Sequence, residues 1–347
     1  MLRQSRDPFF ALGFLVLVVA SLSFARDYAV PVAVAVLIWF LINALADAIT
    51  RFPVIGPAVP RRLAKGLAVV GSFIAIVFAI RAFVQTVGEL GIGLSGSQEV
   101  AFAKIEAIGQ SFGFPLDLTP EQLYDFFGFD TLLREVLGLA QGLVSDASLV
   151  FLYVMFLLVD ERYYAQKLQL LVPDDAKRQA LRITLARIAG ETRAYLWLMS
   201  LISLGVALMT YAVARGVGLS GAGFWGFVAF ALNFIPTIGS ITAVVLPAVY
   251  GLLTLEDPIA VAILIGLLAA TQFVAGEVVL PRVMGDRLNL SSVAILVVLV
   301  VWGAMWGPAG MFLAIPITVI LTLVCARFEP TRPIAIILSK DGRVPHD

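Results

Sequence analysis

The sequence predicts an all-α polytopic membrane protein, and three observations carry that reading. Sixty per cent of its 347 residues are hydrophobic and only 14% are charged, too little charge to cover the surface of a water-soluble fold. Mean hydropathy is +0.97. The apolar residues come in long uncharged blocks, the pattern of membrane-crossing helices rather than of one large core.

Six blocks of roughly 17 to 25 residues read as full spans: 9–25, 29–49, 66–84, 143–159, 194–214 and 259–280. The first follows Arg3 and Arg6 and ends in a weak cleavage pattern (Ser21-Leu22-Ser23-Phe24-Ala25). A second apolar run begins at once, so the first reads as a retained span.

Two further blocks, 222–253 and 291–326, are too long for simple spans. One is interrupted at Asn233-Phe234-Ile235-Pro236-Thr237-Ile238-Gly239, the other at Trp306-Gly307-Pro308-Ala309-Gly310. A straight helix over the shorter block would be about 48 Å long, against a hydrocarbon core of roughly 30 Å. Split at the break, its arms are about 21–24 Å long, too short to cross. Proline removes a backbone donor and glycine relaxes backbone geometry, so both clusters suit the tip of a re-entrant helical hairpin. Such backbone survives at membrane depth only inside protein or beside water. Strongly kinked spans are the alternative.

Charge favours the hairpins. With the N-terminus in the cytoplasm and both long blocks drawn as hairpins, nineteen of the 24 Lys and Arg fall on the cytoplasmic side, the bias that sets orientation. Span 194–214 then precedes a hairpin entering from outside, and span 259–280 precedes one entering from inside. That order is an inverted repeat in topology, the arrangement secondary transporters use to build a central site. The expected organisation is a three-span region (1–84), a periplasmic helical segment (85–142), a fourth span with a cytoplasmic helix (143–193), a transport region (194–326) and a cytoplasmic tail (327–347). The 85–142 segment carries eight acidic residues against Lys104 and Arg134, and Thr119-Pro120-Glu121-Gln122 reads there as a capping box. Pro173-Asp174-Asp175 opens the cytoplasmic helix, whose stripe Leu181, Leu185, Ile188, Thr192, Tyr195 runs toward the next span.

Catalytic chemistry is nearly excluded. The one histidine is His346 and the one cysteine is Cys325, so no Ser-His pair, histidine metal site or disulfide framework exists. No Gly-Lys-Ser/Thr phosphate loop is present, and no cofactor is expected. Zero net charge gives no bulk argument for nucleic acid.

Polar residues at membrane depth are few and therefore informative. Asn233 stands beside the first break, where its amide binds either a ligand or a freed carbonyl. Gln272 lies mid-span and reaches either a neighbouring helix or a solute. Glu277 is four residues before Pro281; it couples transport to an ion, or faces the interface, or pairs with Arg282. Together with Pro236, Gly239, Gly307, Pro308 and Gly310, these residues are the candidates for a solute path, Glu277 being the coupling-ion candidate. Trp197, Trp225, Trp302 and Trp306 read as interface anchors or packing. The two breaks are expected to approach each other near the membrane midplane.

Several segments carry a family resemblance: Asn233-Phe-Ile-Pro-Thr-Ile-Gly-Ser240, Glu277-Val-Val-Leu-Pro-Arg-Val-Met-Gly285, Leu288-Asn-Leu-Ser-Ser292 and Trp302-Gly-Ala-Met-Trp-Gly-Pro-Ala-Gly-Met-Phe-Leu-Ala-Ile-Pro-Ile317. They resemble the autoinducer-2 exporter family, or PerM-type permeases, whose layout the whole chain follows. The resemblance implies eight conventional membrane segments, a homo-oligomer (a pentamer), and transport in the bacterial inner membrane. The solute it implies is either the signalling furanone autoinducer-2 or, in sodium(lithium)/proton exchange, an ion. A non-transporting envelope scaffold is the reading from a different class; it requires that the breaks tolerate bulky substitution.

Overall fold

The structure is a computed structural model that describes residues 17, 20–51, 59–96, 147–284, 290–327 and 329–342, with the backbone alone for 78–80 and 82–96. The expected capping box at 119–122, most of the 85–142 segment and most of the first span lie outside these residues. The described residues are helical apart from turns and one isolated antiparallel bridge, Leu290–Ser339. In order they form α1 (Arg26–Arg51), α2 (Arg61–Gly96), α3 (147–160), a 3-10 turn (Glu161–Tyr163), α4 (Tyr164–Leu171) and α5 (Asp175–Gly216). There follow α6 (Ala222–Leu232), α7 (Ile238–Thr254), α8 (Pro258–Phe273), a π segment (Val274–Val279), α9 (Leu280–Met284), α10 (Ser292–Arg327) and α11 (Arg332–Leu338).

Among the described residues four helices are long and apolar enough to cross a membrane: Arg26–Arg51, Asp175–Gly216, Pro258–Val283 and Ser292–Arg327. Their outward side chains are apolar too. Leu208, Ile241, Ile259 and Val300 are 59–69% exposed, a surface that a bilayer covers and water does not. The chain is a multi-pass membrane protein.

Local chemistry sets the helix ends. Asp174 Oδ1 accepts from the backbone N–H of Ala176 (2.9 Å) and Lys177 (3.1 Å), capping α5. From there one unbroken helix of 42 residues runs through the expected span 194–214. Its stripe is buried only at the far end, at Thr192 and Tyr195, while Leu181 and Leu185 stay exposed. Asp257 caps α8 by accepting from Ile259 N–H at 2.9 Å, with Pro258 at the first helical position, where its missing donor costs nothing.

The chain divides into two compact units. One comprises 1–65, 147–197 and 286–347, the other 66–146 and 198–285. In the second unit, the block containing α6 and α7 folds back on itself. Trp225 near the start of α6 meets Tyr250 near the end of α7, ring centroids 5.5 Å apart, where a straight helix would separate them by about 37 Å. Gly226 lets α6 approach α5 closely: a Cβ there would stand 2.9 Å from Ala207 O. Val213, Leu219, Trp225, Tyr250, Leu264 and Leu268 belong to one buried cluster, and Val206, Ala229, Ala243 and Ala275 form another. The α6–α7 pair is thus seated on α5 and α8 along its length.

In the first unit, α10 is two arms meeting at Gly307, whose φ of 64° and ψ of −147° leave the helical region. The start of the first arm meets the helix that follows the second: Ser291 N–H donates to Leu338 O at 2.9 Å. A straight helix of this length would measure about 54 Å, and the stretch from Arg327 to Ser339, largely helical, returns only about 28 Å. The chain therefore reverses here as well. Its turn lies beside the start of α1, because Trp306 Nε1 donates to Leu22 O at 3.0 Å. The second arm, 308–327, is 20 residues and about 30 Å long.

Candidate functional site

The first break brings three of the sequence candidates, Asn233, Pro236 and Gly239, into one turn. Asn233 N–H closes α6 on Ala229 O (3.0 Å), and Ile235 N–H bonds Leu232 O (2.8 Å). Ile238 N–H then donates to Pro236 O at 2.6 Å, across Thr237 at φ 62°, ψ −62°. That is a γ-turn of the rare, strained hand, occupied by a β-branched residue that avoids positive φ. Strain of this kind persists only where surrounding structure over-determines it. Here it is held from both sides. Gly239 is packed so closely that a Cβ would lie 1.8 Å from Leu232 O, and Asn233 is anchored beneath the turn.

The Asn233 side chain is buried, and its Nδ2 donates to the buried Ser203 Oγ on α5 at 2.9 Å. Neither alternative raised from the sequence describes this bond: it ties the turn to a neighbouring helix. A buried amide–hydroxyl pair costs far more to separate than to keep. Above it, Thr237 and Ile238 are exposed and Pro236 is half-buried, so the turn presents a soft, uncharged surface.

Gln272 and Glu277 lie on the helix that packs against this pair. Val261, Leu264, Leu268, Gln272 and Ala275 recur on the buried face of α8 and its continuation. Gln272 is buried and its Oε1 has no hydrogen-bond partner among the described residues. Beyond it the helix widens to a π segment, where Leu280 N–H bonds Ala275 O, five residues back. Pro281 explains the widening: it cannot donate to the Glu277 carbonyl and its ring crowds that turn. Gly251 meets Leu264, and Ala243 shares a cluster with Ala275. That register brings the π segment level with the first turn of α7. Glu277 is exposed on it, with no ion pair among the described residues, so of the three alternatives the pairing with Arg282 is not made.

Gly307, Pro308 and Gly310 form the second break, which belongs to the other compact unit. Gly307 needs glycine for its positive φ, and the Arg26 guanidinium lies over it, Nη2 3.2 Å from where a Cβ would stand. Pro308 opens the returning arm at a position where no donor is wanted. Gly310 is closed on Trp302 O, 1.9 Å from its would-be Cβ. Trp306 is buried at the second break, with Trp302 against it at 4.8 Å between centroids, and Trp225 is buried at the end of the α6–α7 pair away from its turn.

The sequence reading missed a polar lattice at the other end of α1. Asp47 bonds Arg61 at 2.9 Å and Arg193 at 3.1 Å. Glu161 pairs with Lys65 and accepts from Trp39 Nε1 at 2.8 Å. Burial pushes the Glu161 carboxyl up, but bonds from Lys65, Trp39 and Asn43 outweigh it and hold the group below its usual range. The available signal was the single charges at block ends; their pairing joins residues up to 146 positions apart.

Comparison with known proteins bears on what these features serve. The profile of the AI-2E family transporters matches residues 12–328. The chain is 28% identical over 334 residues to the AI-2 transport protein TqsA of Escherichia coli (strain K12), covering 94% of each. It is 26% identical over 340 residues to a putative transport protein of Haemophilus influenzae (strain Rd), covering 93% of each. It is also 28% identical over 318 residues to the putative transport protein YhhT of Escherichia coli (strain K12), covering 88% of this chain and 86% of that one. A match that runs through α1, both broken blocks and the arm returning from Gly307 leaves one conclusion: the chain belongs to the AI-2E family of transporters.

Proposed function

We propose that the protein exports a small, neutral, polar solute without hydrolysing nucleotide, with autoinducer-2 the first candidate, and that the α6–α7 turn lies on the solute path. The observation that carries this is the chemistry of that turn. Asn233, Ser203, Thr237 and Gln272 supply amide and hydroxyl groups and no charge. Such groups suit a hydroxylated solute and offer a free ion little. The name of TqsA supports the same solute. In this reading both reversed helix pairs are re-entrant, their ends on one side of the bilayer, and the protein works as a homo-oligomer, a pentamer, in the bacterial inner membrane with both termini cytoplasmic. Reconstituted vesicles offered autoinducer-2 or sodium test it: autoinducer-2 equilibrates well above the rate of empty vesicles and sodium does not. Sodium flux alone would overturn the solute assignment.

One observation favours a second reading, sodium(lithium)/proton exchange. Glu277 is a carboxylate on a π segment, a local register often found at functional positions, and it is unpaired among the described residues. If it couples flux to ions, Glu277→Gln abolishes ion-driven transport while assembly persists; unchanged flux and pH dependence remove the exchange reading.

A further inference from the structure

Four buried side-chain atoms have no hydrogen-bond partner among the described residues: Thr192 Oγ1, Thr322 Oγ1, Trp225 Nε1 and Gln272 Oε1. The two hydroxyls carry little, because a helical threonine can turn its hydroxyl to the carbonyl one turn back, as Thr318 does to Ala314 O at 2.6 Å. An indole N–H and a terminal amide oxygen have no such recourse. Leaving either buried and unpaired is costly, and native folds keep such groups for a reason.

These two groups belong to the same seam. Trp225 is on α6, one turn before Ala229; Gln272 is on α8, between Leu268 and Ala275. Trp225 and Leu268 share one buried cluster, and Ala229 and Ala275 share the other. One orphan is a donor and the other an acceptor. Neither carries charge, and the side chains around them are apolar. Trp225 is 6% exposed and Gln272 9%, so the seam is closed in this conformation.

We infer that Trp225 Nε1–H and Gln272 Oε1 are the two poles of a binding site for a neutral solute bearing a hydroxyl group. The site is engaged when the α6–α7 pair moves off α8. The solute hydroxyl accepts from the indole and donates to the amide, so one group satisfies both orphans. The apolar walls reject ions, which would lose hydration and gain no counter-charge. This rests on the reading that the α6–α7 turn serves a solute path, and adds which residues hold the solute.

Thermal unfolding of the purified protein against autoinducer-2 concentration tests it, comparing wild type, Gln272→Met and Trp225→Phe. Gln272→Met keeps bulk and removes the polar amide; Trp225→Phe removes the indole N–H together with part of the ring. The midpoint of the wild type rises with ligand. Each variant needs at least about tenfold more ligand for the same rise; the unliganded midpoint of Gln272→Met is unchanged or higher, since an unpaired buried polar atom has gone, while that of Trp225→Phe falls through lost packing. Three results overturn the inference: no ligand response in the wild type, a wild-type response in both variants, or an unliganded midpoint of Gln272→Met well below wild type, which would make the amide a structural partner. Vesicle flux separates the two claims. A wild type that binds but does not transport sinks the transport reading and leaves the pair standing; variants that transport with wild-type KM do the reverse.

Discussion

Trp225 and Tyr250 stack at 5.5 Å, rings inclined by 44°, although 25 positions separate them in the sequence. That contact makes the 222–253 block two arms rather than one rod. Truncating either ring to alanine is expected to cost about 3 kcal/mol of stability. The double variant is expected to fall short of the sum by about 1 kcal/mol, the coupling of an aromatic pair. A double-mutant cycle by denaturant unfolding in detergent checks this; strict additivity would separate the rings.

The glycines at the breaks differ in what they resist, and their alanine variants should rank accordingly. At Gly239 and Gly310 a Cβ meets backbone oxygen within 2 Å, so neither variant is expected to accumulate as folded protein. At Gly307 the new atom meets only the movable Arg26 side chain, and the cost is the backbone conformation, φ 64° with ψ −147°, about 1–3 kcal/mol. Gly266, with open space around it on α8, should be neutral or slightly stabilised on replacement by alanine. Fluorescence-detected size-exclusion of the four variants reads the order directly; equal recovery of Gly239→Ala and Gly266→Ala would contradict the tight turn.

The Glu161 tie sets a pH response. Its folded carboxyl titrates below 4.5, the ordinary value, so the stabilisation is fully present above that pH and is lost as pH falls through the lower, folded value. Between pH 5 and pH 3 the thermal midpoint should therefore drop more in wild type than in Glu161→Gln, which has no proton to take up. Parallel curves would show that the carboxylate is not tied to Lys65 and Trp39.

How much was legible in the sequence depends on range. The two breaks were, because Pro236 and Gly307 act through local backbone geometry, and so was the helix opened by Asp174. The partner of Asn233 was not: Ser203 stands 30 positions away on another helix. The γ-turn at Thr237 runs against the residue's own preference, so propensity pointed the wrong way. Pro281 did hold a readable clue, since a proline after an otherwise regular span must release the Glu277 carbonyl. The contact of Trp306 with Leu22 was hidden as well, because it joins residues 284 positions apart.

The central claim is that the α6–α7 turn lies on the solute path. Ile238, exposed at the start of α7, offers a handle that does not disturb folding. In a protein with Ile238→Cys and Cys325→Ser, autoinducer-2 flux into reconstituted vesicles is measured before and after complete labelling with a bulky maleimide. The account predicts near wild-type flux before labelling and at least about a tenfold loss after it. Full labelling with undiminished flux would contradict it.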